Sequence, residues 1–173
     1  MTPAQLQQFM LDTIPMARSM ALAIDHFDGD QVVLSAPLAA NSNDKGCAFG
    51  GSLVSLMTLA GWSLANLLLG DEAASAEIYV QDSQVRYLAP VWERLVVQAR
   101  LAPGHEAGEW RQAYRRHGRS RMAVEVDCRL QDGSVATTLA ARFVALDPGR
   151  RRPAVAATAT DTENDTDAGT TKK

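Results

Sequence analysis

The feature that most limits how this chain can fold is a long stretch, residues 48–69, that contains no charged side chain. The stretch is long enough to cross a bilayer, but small and polar residues interrupt it, and neither a Lys/Arg cluster nor an aromatic belt flanks it. Strand-like segments that need a core follow it along the chain. We therefore expect a buried helix from about Gly50 to Leu69, ended by Gly70, and no membrane association.

The predicted helix carries a narrow polar stripe on an otherwise apolar circumference. At 100° per residue, the stripe consists of Ser52, Ser55, Ser63 and Asn66. We interpret these side chains as groups that hydrogen-bond back to the backbone of their own helix. A helix that is apolar on most sides needs cover on most sides, which a curled sheet can supply.

A short helix and a hairpin are predicted before the central helix. Thr2 and Pro3 are typical of a helix start, and Pro15 ends the segment. Residues 20–27 and 31–37 follow as two strands around an Asp-Gly turn. The apolar residues that share one face of the short helix are Leu6, Phe9 and Met10.

Four strands and a second short helix are predicted after the central helix. The strands cover 76–88 and 94–102, followed by a long hairpin in which residues 122–130 and 135–145 alternate around an Asp-Gly turn. Between the two pairs, GEWRQAYRRHG has the spacing of an amphipathic helix. This order of elements predicts an α+β fold with an antiparallel sheet.

Composition places limits on domains and partners. Residues 1–147 suit one globular domain, whereas 148–173 lose nearly all bulky apolar residues, so we expect a disordered polar tail in which Arg150, Arg151 and Arg152 are solvated. A net charge of -3 makes nucleic acid an improbable partner. The N-terminus lacks the features of a signal peptide, and Cys47 and Cys128 do not suggest a disulfide framework, which favours a cytoplasmic location.

Three segments carry a resemblance to a known family: NSNDKGCAFGGSL at 41–53, LAGW at 59–62 and DSQVRYLAPV at 82–91. They resemble the thioesterase family typified by the C-terminal domain of YiiD, over about residues 5–147. The resemblance implies a hot-dog fold, in which an antiparallel sheet wraps around a long central helix. It also implies a homodimer or dimer of dimers with active sites between protomers, and hydrolysis of acyl-CoA or acyl carrier protein thioesters without a metal or cofactor.

The resemblance also implies positions for site residues. In related hot-dog thioesterases a His-Gly-Gly begins the central helix, an Asn lies six residues before the His, and an acid lies nine residues after it. Here Phe49 replaces the His, and Asn43 matches the Asn. The glycines match as Gly50 and Gly51, and their amides are expected to polarise the thioester carbonyl. Thr58 stands where the acid is expected, so a carboxylate must come from elsewhere.

The residues themselves offer two carboxylates. Asp82 is the first candidate for the general base, and Asp44, beside Asn43, is the second. Asp82 belongs to a polar run in a strand that we predict to be central, where unpartnered polar groups are costly, so the run marks either a dimer seam or a wet active site. Thr58 and Ser52 are expected to support the reaction by hydrogen bonding, and the expected substrate contacts are Phe49, Ser52, Gln81 and Ser83.

Other chemistries find less support in the sequence. His26, His105 and His117 are interpreted as surface or strand histidines, and Cys47 as a small buried hydrophobe. No metal-ligand spacing is present. A non-catalytic acyl-CoA-binding module remains open because of Thr58, as does a structural scaffold, while a hydratase or dehydratase is disfavoured because no His lies within 41–58. The acyl length is not specified by the sequence.

Overall fold

A computed structural model describes residues 1–150 of the chain. Six strands form one antiparallel sheet in the order β1-β2-β4-β5-β6-β3, and a 20-residue helix, α3, lies against one face of it. The strands are β1 Ala23–Phe27, β2 Gln31–Ala36, β3 Glu77–Tyr87, β4 Leu95–Leu101, β5 Arg119–Arg129 and β6 Val135–Leu146. The helices are α1 Pro3–Thr13, α2 Pro15–Ser19, α3 Gly50–Leu69 and α4 Ala107–His117. The predicted α+β fold is confirmed.

The central helix α3 has the predicted bounds, Gly50 to Leu69. Gly70, with a φ of 71°, ends it in a backbone conformation that glycine adopts without strain. By length and composition Gly50–Ala74 would suffice for a membrane span, but 61 % of its apolar window is buried inside the protein. Asn66 donates to the carbonyl of Trp62 at 2.9 Å, as the back-bonding interpretation predicts, whereas Ser63 instead contacts the sulfur of Met10.

The helix α1 covers part of the side of α3 that the sheet leaves open. It begins with a capping box, in which Thr2 and Gln5 satisfy each other's backbone amides. Leu6 and Met10 are buried as expected, but Phe9 is 46 % exposed and stacks on Trp62 with ring centroids 6.4 Å apart. Pro15 ends α1 and also starts α2, a five-residue helix that the sequence pattern did not indicate.

The strand that contains Asp82 lies at an edge of the sheet, so its predicted central position is wrong. β3 pairs with β6 alone, and its other side makes no ladder within residues 1–150. The apolar residues that suggested a central strand, Ile78 and Val85, pack against the core from the inner face of this edge strand. Local alternation reports which face of a strand is apolar, not how many neighbours the strand has.

The described residues end three positions inside the predicted tail. Pro148–Arg150 forms a turn of 3₁₀ helix, in which Arg150 is ion-paired with Asp147 at 3.4 Å and donates to the carbonyl of Arg116 at 3.4 Å. The division of the chain at residue 147 stays a prediction. The remainder of the predicted tail, 151–173, lies outside the described residues.

Close packing of α3 on the sheet predicts a large effect of a single methyl group. A Cβ on Gly61 would lie 2.7 Å from the ring of the fully buried Phe143. Overpacking of about 1–3 kcal/mol exceeds the gain in helix propensity of about 1 kcal/mol, so Gly61→Ala is expected to lower the free energy of unfolding by about 1 kcal/mol. Gly108→Ala in α4 has open space around it and should be neutral or stabilising. Urea denaturation of both variants checks this, and equal midpoints would contradict the packing argument.

Candidate functional site

A small hairpin leads into the central helix. The amide of Gly46 donates to the carbonyl of Asn43 at 3.0 Å, and the amide of Asn43 donates to the carbonyl of Cys47 at 2.8 Å. Gly46 has a φ of 84°, the left-handed residue that follows a type I turn in such three-residue hairpin loops. A bridge between Ser42 and Ala48 continues the hairpin. The predicted Asn/Gly loop is thus ordered by its own backbone.

Buried hydrogen bonds fix the end of this hairpin against the domain. Asn41 is buried and donates to the carbonyls of Met20 at 3.0 Å and Pro37 at 2.8 Å. The backbone carbonyl of Asn41 accepts from the amide of Phe49 at 2.7 Å, and the amide of Ala48 donates to the backbone carbonyl of Val91 at 2.8 Å. These bonds determine where the chain enters α3 and which residue serves as the N-cap.

The N-terminus of α3 is left without a cap. Phe49 is the N-cap residue and has no side-chain acceptor, so it satisfies none of the first-turn amides. The amide of Leu53 bonds to the carbonyl of Phe49 at 3.0 Å, but those of Gly50, Gly51 and Ser52 have no partner among the described residues. Three backbone N–H donors at the positive end of a 20-residue helix are therefore available to a ligand.

Exposed aromatic residues surround these amides. The ring of Phe49 lies over Gly51, so close that a Cβ on Gly51 would be 2.3 Å from Cε1 of the ring. Tyr87, at the end of β3, donates its hydroxyl to the carbonyl of Gly50 at 3.0 Å. Trp92 lies beside Gly46, 4.0 Å from the position of a Cβ on that residue. Phe49, Tyr87 and Trp92 are each more than half exposed.

Tyr87 and Trp92 are site residues that the sequence analysis did not assign. Both lie within or next to the segment DSQVRYLAPV at 82–91, which carries part of the family resemblance. Large aromatic side chains directly after a polar strand and beside a proline are a usable sign, because such residues are costly to expose without a ligand or partner. Both side chains belong to the aromatic rim, which we define as Phe49, Tyr87 and Trp92.

Thr58 and Ser52 lie on the side of α3 that is only half-buried. Thr58 is seven residues after Gly51, which places it on the same face about 10 Å further along the helix axis. Neither hydroxyl has a hydrogen-bond partner within residues 1–150. Ser55 and Trp62 continue the same half-buried face. Both hydroxyls are therefore available to a bound molecule.

The side chain of Asn43 is used by its own turn. Its Oδ1 accepts from the amide of Lys45 at 2.8 Å, and its Nδ2 lies 3.2 Å from the sulfur of Cys47. A role in orienting substrate or water stays a prediction. Asp44 is exposed and ion-paired with Lys45 at 2.9 Å, while Cys47 is buried, as expected for a small hydrophobe.

The structure does not bring Asp82 to the glycine amides of its own protomer. Asp82 is paired in register with Arg142, whose Nε donates to the two carboxylate oxygens at 2.8 and 3.0 Å. Arg142 alternates with the buried Ala141 and Phe143, so the ion pair lies on the outer face of the sheet, away from α3. The hydrogen bonds and charge of Arg142 lower the pKa of Asp82. These contacts give no support to Asp82 as a base.

A β-bulge in β3 explains why the side chain of Asp82 faces away from α3. The register of β3 against β6 shifts between Val80 and Asp82, so Gln81 is an extra residue. Gln81 accepts from Nε of Arg121 at 3.0 Å, and Ser83 is paired with Ala141, whose side chain is buried against the core. The polar run is thus divided between the two faces, and only Ser83 of the predicted strand contacts shares the face of α3.

The remaining candidates do not assemble into a catalytic group. His26, His105 and His117 are all exposed and lie on different elements. Burial raises the pKa of the Cys128 thiol to about 11, so this cysteine is not a nucleophile at neutral pH. Within residues 1–150, no group of three His, Cys, Asp or Glu side chains could hold a metal ion.

Comparison with known proteins identifies relatives over the whole domain. A family model described as "Putative thioesterase (yiiD_Cterm)" matches residues 3–147. A Chlorobaculum tepidum protein of unknown function is 27 % identical with a TM-score of 0.76, over 84 % of this chain and 94 % of its own. A Shewanella oneidensis protein described as a putative thioesterase is 28 % identical with a TM-score of 0.73, over 83 % and 96 %.

The fold extends to more distant proteins. A Haemophilus influenzae thioesterase has a TM-score of 0.68 over 85 % of this chain and 92 % of its own, at 15 % identity, which is a likeness of fold alone. The expected hot-dog fold is confirmed by these neighbours and by the sheet around α3.

The Asp82–Arg142 pair predicts a titration that can be measured. The ion pair lowers the pKa of Asp82 in the folded protein below its unfolded value of about 3.9. The pair therefore stabilises the fold fully at a pH above the unfolded pKa, and this stabilisation is lost as the pH falls through the folded-state pKa. Arg142→Gln is expected to move the pKa of Asp82 up toward about 3.9. Carbon-detected NMR of the Asp82 carboxyl group checks this, with the Asp132 carboxyl group, whose pKa is lowered by its hydrogen bonds with Ser134, as the internal control. An Asp82 pKa above 5 in the unmodified protein would restore it as a base candidate.

Proposed function

Because the chain belongs to the thioesterase family typified by the YiiD C-terminal domain, we propose that it hydrolyses acyl thioesters, carried by coenzyme A or an acyl carrier protein, at the N-terminus of α3. The observation that carries the proposal is the set of three unpartnered amides at Gly50, Gly51 and Ser52, beneath exposed aromatic side chains. The cytoplasmic location remains part of the proposal, supported by the unpaired cysteines.

The three amides fit the charge that develops during thioester hydrolysis. Attack of water on the carbonyl carbon moves an electron pair onto the carbonyl oxygen, and fixed donors at that oxygen stabilise the resulting tetrahedral anion. Gly50 and Gly51 carry no side chain of their own, and the exposed ring of Phe49, which lies over Gly51, has to turn aside for a carbonyl to approach these donors. Collapse of the anion breaks the carbon–sulfur bond and releases the carboxylic acid and the thiol.

The aromatic rim fits the other half of the substrate. Phe49 and Tyr87 present exposed ring surface at Gly51 and Gly50, and Trp92 adds exposed ring surface beside Gly46 in the preceding hairpin, where an acyl chain or the pantetheine arm would lie. Each buried methylene stabilises binding by only about 0.8 kcal/mol, so such a surface tolerates many acyl lengths. Thr58 and Ser52 can orient the attacking water, but a hydroxyl group does not act as a general base at neutral pH.

The lack of a carboxylate at the amides favours a second candidate function, a non-catalytic acyl-CoA-binding module. Thr58 occupies the position of the expected acid, and none of the contacts described for residues 1–150 brings Asp44 or Asp82 to Gly50. Such a module would bind acyl-CoA without releasing thiol. Calorimetric binding in the absence of turnover would select it.

A second copy of the chain is proposed to complete the site. The outer edge of β3 offers an 11-residue strand for antiparallel pairing, with Tyr79 and Val80 nearly half exposed along it. Exposed edges of this length are normally covered or blunted. Pairing of two β3 strands would join the sheets and bring two α3 helices together on the same side, with a site at each end of the seam.

The proposed dimer predicts the effect of a charge at the seam. Val80→Lys is expected to convert the protein to a monomer, because two lysines would lie close to the twofold axis on an apolar surface. Met16→Lys, which changes a somewhat more exposed apolar residue on α2, should leave the oligomeric state unchanged. Sedimentation equilibrium measures both. A protein that is monomeric without substitution, or a dimer that survives Val80→Lys, would contradict pairing through β3.

The amide of Gly50 can be removed with little change to the helix. Gly50 is the first helical residue, where proline is well tolerated, and Phe49 before it has the extended backbone that proline requires. We expect Gly50→Pro to lower kcat by 10²–10³-fold relative to Gly50→Ala, the loss typical of one oxyanion donor. The assay is release of free thiol from short, long and aromatic acyl-CoAs and from acyl carrier protein. A Cβ at this position lies 3.4 Å from Tyr87, so the alanine control fits.

The same assay separates the remaining possibilities. Equal kcat for Gly50→Pro and Gly50→Ala would exclude this amide as a donor. Absence of turnover on every substrate by the folded, oligomeric protein would contradict hydrolysis and favour the binding module. Asp82→Asn is expected to retain turnover, since its carboxylate is held by Arg142 on the outer face, and complete loss would show that Asp82 reaches the site in the assembled protein.

A further inference from the structure

The strand β5 is longer than its neighbour β4, so part of one of its edges has no partner strand. Leu101, the last residue of β4, is in register with Val124, and the amide of Ala102 donates to the carbonyl of Ala123 at 2.9 Å. Residues 119–122, the first four of β5, therefore extend beyond β4. No strand pairs with this side of them in the described part of the chain.

Two hydrogen bonds show which backbone groups face the open side. The carbonyl of Gly118 accepts from the amide of Asp147 at 2.7 Å on the β6 side, whereas the carbonyl of Ala123 faces β4. Backbone groups two residues apart point the same way along a strand, so those of Arg119 and Arg121 face away from β6. Their amides and carbonyls have no hydrogen-bond partner among the described residues.

A cleft of about 390 Å³ lies beside this edge, between β5 and α4. Trp110 and Met122, which line it, are each only 2 % exposed. Ser120 also lines the cleft at 6 % exposure, and its hydroxyl group has no hydrogen-bond partner within residues 1–150. An extended peptide would satisfy the free backbone groups by adding a strand, with apolar side chains against Trp110 and Met122.

The charges around the cleft favour a neutral occupant. Glu106 and Glu109 line one side and Arg119 and Arg121 the other, and none of the four forms an ion pair within the described residues. A charged side chain of either sign that entered between them would be attracted by one side and repelled by the other. An uncharged segment avoids this repulsion.

The chain leaves the described structure close to this cleft. The side chain of Arg150 lies against Gly118, where an added Cβ would contact it, and donates to the carbonyl of Arg116 at 3.4 Å. Residues 151–173 follow. Three residues span up to about 10 Å, or about two strand spacings, which suffices to cross from the end of β6 to the free side of β5.

Residues 154–160, AVAATAT, have the pattern of a strand with one apolar face. One set of alternate positions consists of Val155, Ala157 and Ala159, while the other set ends in two threonines. Pro153 directly before them is tolerated at the first position of a strand. The segment has no charge and only small side chains, which suits a cleft of this size and surroundings.

We propose that residues 154–160 form a strand that pairs with residues 119–121 of β5 and packs its apolar face against Trp110 and Met122. The added strand runs parallel to β5, because the chain reaches it at the start of β5. The cleft is thereby an intramolecular docking site for the C-terminal segment. This inference is independent of the proposed function, since it concerns neither the amides of α3 nor a substrate.

Hydrogen exchange of the Arg119 and Arg121 amides in the full chain tests the pairing. Ala156→Pro/Ala157→Pro removes two adjacent amides of the added strand, so one of the two hydrogen-bonding positions is lost whichever way the strand faces. We expect both arginine amides to exchange about tenfold faster in this variant, the effect of losing one or two backbone hydrogen bonds. Ala168→Pro, the same change further along the segment, is the matched control and should leave both rates unchanged.

The outcomes separate this segment from other occupants of the cleft. Rapid exchange of both amides in the unmodified protein, or slow exchange that survives Ala156→Pro/Ala157→Pro, would overturn the proposal, and the second result would indicate another protein chain at this edge. Protection that disappears on dilution would overturn the intramolecular assignment and favour the segment of a second copy.

A second measurement locates the segment directly. Both native cysteines are buried, so a nitroxide reagent is expected to label a cysteine introduced by Thr158→Cys. The label should broaden the methyl signal of Met122 in NMR spectra, whereas a label at Thr170→Cys should leave this signal sharp. Equal signals for the two labelled proteins would contradict docking in the cleft.

Discussion

The burial of one uncharged helix by one curled sheet is the constraint on which the rest of this protein depends. α3 has no charge along its length, so it is stable only if sheet and α1 together remove most of its surface from water. This requires close contact, as between Gly61 and Phe143, and inner strand faces that carry no charge. The charged residues of the strands are consequently confined to the outer face of the sheet or to its edge, while the uncharged Ser120 and Thr137 are buried on the inner face.

The same constraint determines how the candidate site is built. A helix buried along its sides can be reached only at an end or along its uncovered face, and here the N-terminal end is held open by the hairpin before it. Replacing a capping serine or aspartate by Phe49 typically costs about 1 kcal/mol of stability. The uncapped amides are therefore a local departure from the most stable arrangement, of the kind expected where a ligand takes the place of the cap.

The sequence predicted those features that depend on near neighbours along the chain. Periodicity and glycine placement gave the bounds of α3, and Asp-Gly turns located two hairpins, because these patterns act within a few residues. The edge position of β3 depends on which distant strand occupies its other side, and alternation contains no such information. The orientation of Asp82 depends on one extra residue, Gln81, which reverses the alternation and places the carboxylate beside Arg142.

Within residues 1–150, none of the described contacts brings a carboxylate to the amides of the same protomer, which changes what a hydrolytic site here must rely on. A general base typically contributes 10²–10⁴-fold to a rate, and an oxyanion donor 10²–10³-fold, so a site with donors alone still accelerates attack on an electrophilic thioester. Remote contacts then matter more, because binding energy from non-reacting parts of a substrate can hold the carbonyl against the amides. The exposed rings of Phe49 and Tyr87 beside the amides offer contacts of this kind. A hydrolytic site built on donors alone would depend on such contacts as much as on the donors themselves.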